Sequence, residues 1–391
     1  MSTLASRRDV IRIRLVRQGL FDGRLRGVTE VTDRLLALQA QDYAAAKWAL
    51  GVRAPGTTLA DVDAAINSGR IVRSWPMRGT LHFVPAVDLG WMQQLTGPRI
   101  VSRSRTRHAQ LDIDRDVIER ARAVAVHALS GGRELSRAEF LAVLEENGIG
   151  TSGQRGYHLI GHLALTGTLC WGPQRGRQQV LVLLDEWVRS PRRLDRDEAL
   201  GEFVLRYFDG HGPATLRDFA WWSQLTVADA RAGLAVAADR LAELVVDGVT
   251  YYLAAAADTG DADEAKGHPT QRSPLLALPA FDEYLIGYQD RSFAIDDGSL
   301  GRVVPGGNGM FLPLILASGR VIGTWRQTKT ARSVSLEPRP FDPLSAGQAR
   351  EFERAVAQYA HFLGLSVGGN PTAAPTAAPA AAPAEPEPPL A

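Results

Sequence analysis

The chain has 391 residues, 45% apolar and 22% charged, with a formal net charge of +1; that length exceeds one hydrophobic core and predicts two to four compact units. No run of about 18 apolar residues is present to span a bilayer, and arginines interrupt every apolar run of the opening "MSTLASRRDVIRIRLVR", so the expectation is a cytoplasmic protein without membrane segments. Cys170 is the only cysteine, which excludes an intrachain disulfide and a thiolate-rich metal site.

The first segment carries helical patterns near 7–18, 29–37, 44–50 and 59–68, followed by "IVRSWPM" and "GTLHFVP" as the two strands of a hairpin. From Arg70 to His108 seven arginines stand against one acid, Asp88, a candidate contact for a polyanion. In the second segment Val117, Ala121, Val124 and Ala128 share one helical face, and "SRAEFLAVLEENG" opens with a Ser136/Glu139 capping box. A helix over 154–166 then leads to the strands "TLCWGP" and "QQVLVLLD", joined by a polar turn with Arg175 and Arg177. His158 and His162 have helical i, i+4 spacing but no H-E-x-x-H arrangement, and no metal or other cofactor is expected.

The third segment is the clearest. A helix over 216–224 is followed by a new start at Thr226, with Asp229 placed to complete its cap. "LVVDGVTYYL" then sets Asp247-Gly248 between two strand-forming runs, a strong hairpin signal. Helices followed by a hairpin make a winged helix, and "SGRIVRSWP" aligns with "TGTLCWGP" as the corresponding strand of the first two segments.

Beyond these segments a polar linker precedes short strand-like runs, including "PLLALPAFDEYLIGY" and "MFLPLILASGRVIGTWRQ". An amphipathic helix ending at Gly364 and an Ala/Pro-rich tail, read as disordered, complete the chain. The predicted fold is α+β: three tandem winged-helix units at 1–93, 94–190 and 191–257, a linker at 258–273, a small β-barrel with a terminal helix at 274–366, and the tail at 367–391.

The stretch "LLALQAQD" places Gln39 and Gln41 two residues apart. On an extended strand such residues project to one side, with Leu38, Ala40 and Asp42 on the other. The pair is therefore either two amides satisfying nearby backbone groups or two amides aimed together.

With "SWPMRGTLHFVPAVDLGWM", "GPATLRDFAWWSQLT", "LLALPAFDEYLIGYQDRS" and "GRVIGTWR" in the same order and approximate spacing, the chain resembles the winged-helix DNA glycosylases of the AlkZ type over roughly residues 7–366. The resemblance implies removal of alkylated bases, including bulky adducts and interstrand crosslinks. It also implies that Gln39 and Gln41, around Ala40, are the catalytic pair of the Gln-x-Gln branch rather than the Gln-x-Asp branch.

An amide has no useful basicity, so such a pair orients water and acts only on a good leaving group, as a cationic alkylated purine is. Asp42 reads as a capping or supporting residue. The partner expected is double-stranded DNA containing alkylated bases, met by a monomer associated with the nucleoid. Arg73, Arg78, His82, Arg103, Arg105, Arg107, Arg326 and Lys329 are the expected DNA contacts. A DNA-binding regulator, or a damaged-DNA-binding protein without turnover, is the alternative.

Overall fold

The computed structural model describes residues 3–21, 23, 25–176, 178–255, 275–307 and 309–369. The expected linker, Arg177 and the tail from 370 onward lie outside them.

The described chain is α+β, and local side chains set where its helices begin. Ser6/Asp9, Thr58/Asp61, Ser136/Glu139, Asp195/Glu198, Thr215/Asp218, Thr226/Asp229 and Ser345/Gln348 each form a reciprocal capping box, which satisfies otherwise orphaned amides of a first turn.

The strands are β1 (Thr3–Leu4), β2 (Leu38–Gln39), β3 (Ile71–Met77), β4 (Thr80–Pro85), β5 (Leu135–Ser136), β6 (Leu169–Arg175) and β7 (Gln178–Leu183). They continue as β8 (Leu241–Val246), β9 (Val249–Ala254), β10 (Leu276–Leu278), β11 (Leu314–Ala317), β12 (Arg320–Lys329), β13 (Ser333–Pro340) and β14 (Ser366–Val367). Met77 pairs with Thr80 and Val246 with Val249, leaving two-residue turns at Arg78-Gly79 and Asp247-Gly248. Both residues of each turn have positive φ, 58° and 70° in the first and 49° and 77° in the second, the geometry that matches strand twist in a tight hairpin.

The first two hairpins are not separate. β3 pairs with β6 at Arg73 and Trp171, giving one six-stranded sheet in the order β2-β4-β3-β6-β7-β5. β1 adds to the third hairpin in parallel beside β8. The helix Arg7–Arg17 is fastened there too, with Arg14 Nε donating to the Pro213 carbonyl at 2.9 Å and Arg17 Nη2 to that of Ala254 at 2.8 Å.

The expected barrel is instead an open five-stranded sheet, β10-β11-β12-β13-β14, whose outer strands do not pair with each other. The helix Ala346–Leu363 packs on it through Phe352, Ala355, Val356 and Tyr359. Only Leu276–Leu278 of "PLLALPAFDEYLIGY" is strand; Glu283–Ile286 is a helical turn capped by Asp282. The helices Leu89–Arg103, Arg105–Gln110, Leu184–Trp187, Arg196–His211 and Asp297–Val303 lie where none was expected. In the helix Arg115–Leu129 the buried line is Ala121, Ala125 and Leu129, so the small alanines take the closest approach and Val117 and Val124 flank it.

The first segment shares one core with the C-terminal sheet, joining Leu38, Trp48 and Phe83 to Ala277, Trp325 and Phe352. Indole donors fasten this seam: Trp48 Nε1 reaches the Ala277 carbonyl and Trp325 Nε1 that of Leu278, both at 2.8 Å. The pair Gln39/Gln41 lies where these two bodies meet.

Candidate active site

The helix Val28–Leu35 stops at Leu36, whose φ of 62° is rare for a bulky side chain. The chain then runs extended, with Leu38 opposite Phe83 and Gln39 opposite His82. Leu36, Leu38 and Ala40 face the core with no more than 1% exposure, while Gln39 is half-buried and Gln41 is 7% exposed. Asp42 ends the segment as the cap of the helix Tyr43–Gly51, accepting from Ala45 N at 3.0 Å.

Both amides are held by the β3–β4 hairpin. Gln41 Oε1 accepts from Leu81 N at 2.7 Å, taking the place of a backbone acceptor, while Ala40 N donates to the Leu81 carbonyl. Gln39 Oε1 accepts from Arg78 Nη2 at 3.1 Å. Arg78 occupies a positive-φ position where Asn or Gly is preferred, and its guanidinium comes back beside the strand onto the motif.

The same Nη2 lies 3.0 Å from His82 Nε2, and His82 Nδ1 lies 2.9 Å from the Thr80 carbonyl. These partners assign the proton to Nδ1, leaving Nε2 to accept from Arg78. Burial first, and then the Arg78 charge, push the His82 pKa down to about 3, so the ring is neutral near pH 7.

Behind the motif stands Glu283, 1% exposed. Its Oε1 accepts from Gln39 N at 3.1 Å; its Oε2 accepts from Trp222 Nε1 at 3.0 Å and lies 3.3 Å from His211 Nε2. Burial alone would raise its pKa, but the His211 hydrogen bond and the Arg78 charge hold it well below the ordinary carboxylate range. An ionised carboxylate thus sits one peptide behind Gln39. Its neighbour Asp282 makes a bidentate pair with Arg53 at 2.7 and 2.8 Å, and neither side chain is exposed.

Several expected contacts are placed otherwise. Arg73 is 8% exposed and His82 0%, so neither presents a charged head to a duplex. Arg73 Nε donates to the Ala40 carbonyl at 2.9 Å, and Arg73 and His82 support the motif from inside. Arg78 is half-buried on it. Arg103, Arg105 and Arg107 are exposed on and just after the helix Leu89–Arg103, and Arg326 and Lys329 are exposed on β12.

Lys47, the only lysine near the motif among the described residues, is buried against Asp63 at 2.5 Å and Gln174 at 2.9 Å. Trp75 and Cys170 are both 0% exposed core residues. His158 and His162 each pack 5.5 Å from the ring of His108, centroid to centroid, and burial pushes both down to about 4.

Glu283, Trp222, His211 and the Arg53–Asp282 pair were not anticipated. One signal was available: two adjacent carboxylates inside the apolar run "LLALPAFDEYLIGY" demand buried partners.

Three comparisons bear on what this arrangement does. Residues 32–362 match the family model described as DNA glycosylase AlkZ-like. The chain is 25% identical over 376 residues, 93% of its own length and 98% of the other's, to the interstrand DNA cross-link repair glycosylase of Streptomyces sahachiroi. Its fold is similar to that of the solved structure of Streptomyces sahachiroi DNA glycosylase AlkZ, with a TM-score of 0.76 at 23% identity, covering 93% of this chain and 98% of that one.

Proposed function

Because the chain belongs to the AlkZ-like DNA glycosylase family, we propose that it hydrolyses the N-glycosidic bond of cationic alkylated purines in double-stranded DNA, including bulky adducts and interstrand crosslinks, with water oriented by Gln39 and Gln41. Water oxygen adds to C1′, the C1′–N electron pair leaves with the base and cancels its positive charge, and the water releases one proton. The base departs as a neutral molecule from an oxocarbenium-like sugar, so no strong general base is required.

The observation that carries this reading is the double clamp on the motif. Arg78 and Leu81 N hold the two amide carbonyls from one hairpin, and ionised Glu283 stands behind the Gln39 peptide. A carbonyl oxygen has two lone pairs, so an amide held through one can accept from water through the other. Preorganised dipoles of this kind stabilise charge that develops on the sugar. The Glu283 carboxylate offsets the Arg78 charge that a cationic lesion would otherwise meet alone. The Streptomyces relative, an interstrand DNA cross-link repair glycosylase, supports extending the substrate class to crosslinks.

In the same reading the three groups of helices and hairpins are winged helices, with the domain boundaries expected from the sequence. Exposed Arg103, Arg105, Arg107, Arg326 and Lys329 contact phosphates, and the protein works as a nucleoid-associated cytoplasmic monomer. The alternative, a DNA-binding protein without turnover, draws on the fact that both amide carbonyls already have protein donors.

The deciding experiment is base release from a duplex with one 7-methylguanine, and then from a crosslinked duplex, by the native protein, Gln39→Ala and Gln41→Ala. Release that falls by orders of magnitude in both variants at unchanged DNA affinity supports the glycosylase mechanism. Binding without release from either substrate leaves the non-catalytic reading.

A further inference from the structure

Beside the motif stands an aromatic and cationic group that the reaction above does not use. Trp221, half-exposed on the helix Leu216–Ser223, has the guanidinium carbons of Arg78 and Arg291 at 5.8 and 5.0 Å from its ring centroid. Both are looser than Arg14 over Tyr288, at 3.8 Å, so a flat ring arriving at Trp221 has only to push a guanidinium aside.

The charges here are not balanced as they are nearby. Lys47 holds Asp63 and Arg53 holds Asp282. Among the described residues, neither Arg78 nor Arg291 has a carboxylate within ion-pair distance, and Arg78 Nε is buried without a hydrogen-bond partner. Arg291 commits Nε to the Leu285 carbonyl at 3.1 Å.

The carboxylates whose charge reaches the two arginines, Glu283 for Arg78 and Asp218 for Arg291, are already engaged. Glu283 holds Gln39 N, Trp222 and His211. Asp218 accepts from Gln289 N and Asp290 N through one oxygen and caps Thr215 through the other. Burial and then the Arg78 charge depress the pKa of Arg291 against the opposing pull of Asp218, as expected for two cations crowded together with only distant carboxylates.

Two guanidiniums with no carboxylate in ion-pair contact, beside a half-exposed indole, match the chemistry of a nucleotide: a flat base and a phosphodiester. We propose that Trp221, Arg78 and Arg291 form a subsite for one nucleotide of the lesion-bearing strand, with its base stacked on Trp221 and its phosphodiester between the two guanidiniums. The assignment to that strand rests on the glycosylase reading. Arg78 then serves two contacts, the phosphodiester and Gln39 Oε1, so a strand held at this subsite is anchored one side chain from the motif.

The test measures affinity and base release separately on a fluorescent duplex with one 7-methylguanine, using Trp221→Ala, Trp221→Phe, Arg291→Ala and Arg291→Lys. A single uncharged methylphosphonate is moved along successive linkages on either side of the lesion. Trp221→Ala and Arg291→Ala are expected to raise Kd on the order of ten- to a hundred-fold, and the Phe and Lys variants to recover most of it. At one linkage the neutral substitution should remove the Arg291→Ala penalty.

Native-like Kd in both alanine variants, or an Arg291 penalty indifferent to every neutral linkage, overturns the subsite. If Trp221→Ala does not fold, the Arg291 series and the linkage scan decide alone. Affinity effects without base release by the native protein, from this duplex or a crosslinked one, would instead sink the glycosylase reading and leave the nucleotide subsite standing.

Discussion

His82 makes the motif's support sensitive to acid, and the size of the effect follows from its surroundings. Its ring is 0% exposed and its pKa is pushed down to about 3, from an ordinary imidazole value of 6.5. Between those pH values the unfolded chain binds a proton that the folded chain refuses, so stability falls as pH drops through the window and is recovered above it. At about 1.4 kcal/mol per unit, the loss is about 2 kcal/mol at pH 5 and about 4 kcal/mol by pH 3.

Protonation would also turn Nε2 from an acceptor into a donor facing Arg78, releasing the guanidinium that holds Gln39. The assay is urea unfolding of the native protein and His82→Gln between pH 7.5 and 5. The stability difference between the two proteins should narrow by about 2 kcal/mol toward pH 5, because glutamine does not titrate, while His158 and His162 contribute equally to both. Parallel curves would refute the reasoning. Because folded His82 stays neutral, base release by the native protein should show no step near pH 6.5 that His82→Gln removes.

Replacing Asp282 with alanine leaves Arg53 buried and unpaired, and should cost about 3–5 kcal/mol in denaturant unfolding; a loss under about 1 kcal/mol would mean that water enters and solvates the guanidinium. Arg103, Arg105 and Arg107 are exposed, and the side-chain partners of Arg103 and Arg107 are the neutral glutamines Gln224, Gln110 and Gln154. Changing all three arginines to glutamine should lower the slope of log affinity against log salt by about 2–3, measured by fluorescence anisotropy; an unchanged slope would remove that face from the DNA contact.

Local rules were enough for much of this protein. Capping boxes at Ser136 and Thr226, the Asp247-Gly248 turn, the strands around Arg78-Gly79 and the extended course of Gln39 to Gln41 depend on neighbours a few residues away, whose signals survive in a single sequence. Tertiary packing decided the rest. Antiparallel pairing of Arg73 with Trp171 fused two hairpins into one sheet, and a parallel pairing added β14 at the edge of the C-terminal sheet; neither register is encoded by any one strand.

The same division holds at the site. That Gln39 and Gln41 form a pair was legible, but the use of Arg73 and His82 was not. Their composition suited a phosphate contact, and only the fold showed them enclosed, where a charged or polar group must find partners at once. Glu283 lies 244 residues beyond Gln39. No local pattern could bring its carboxylate to that amide; the closure of the C-terminal sheet over the first segment's core did.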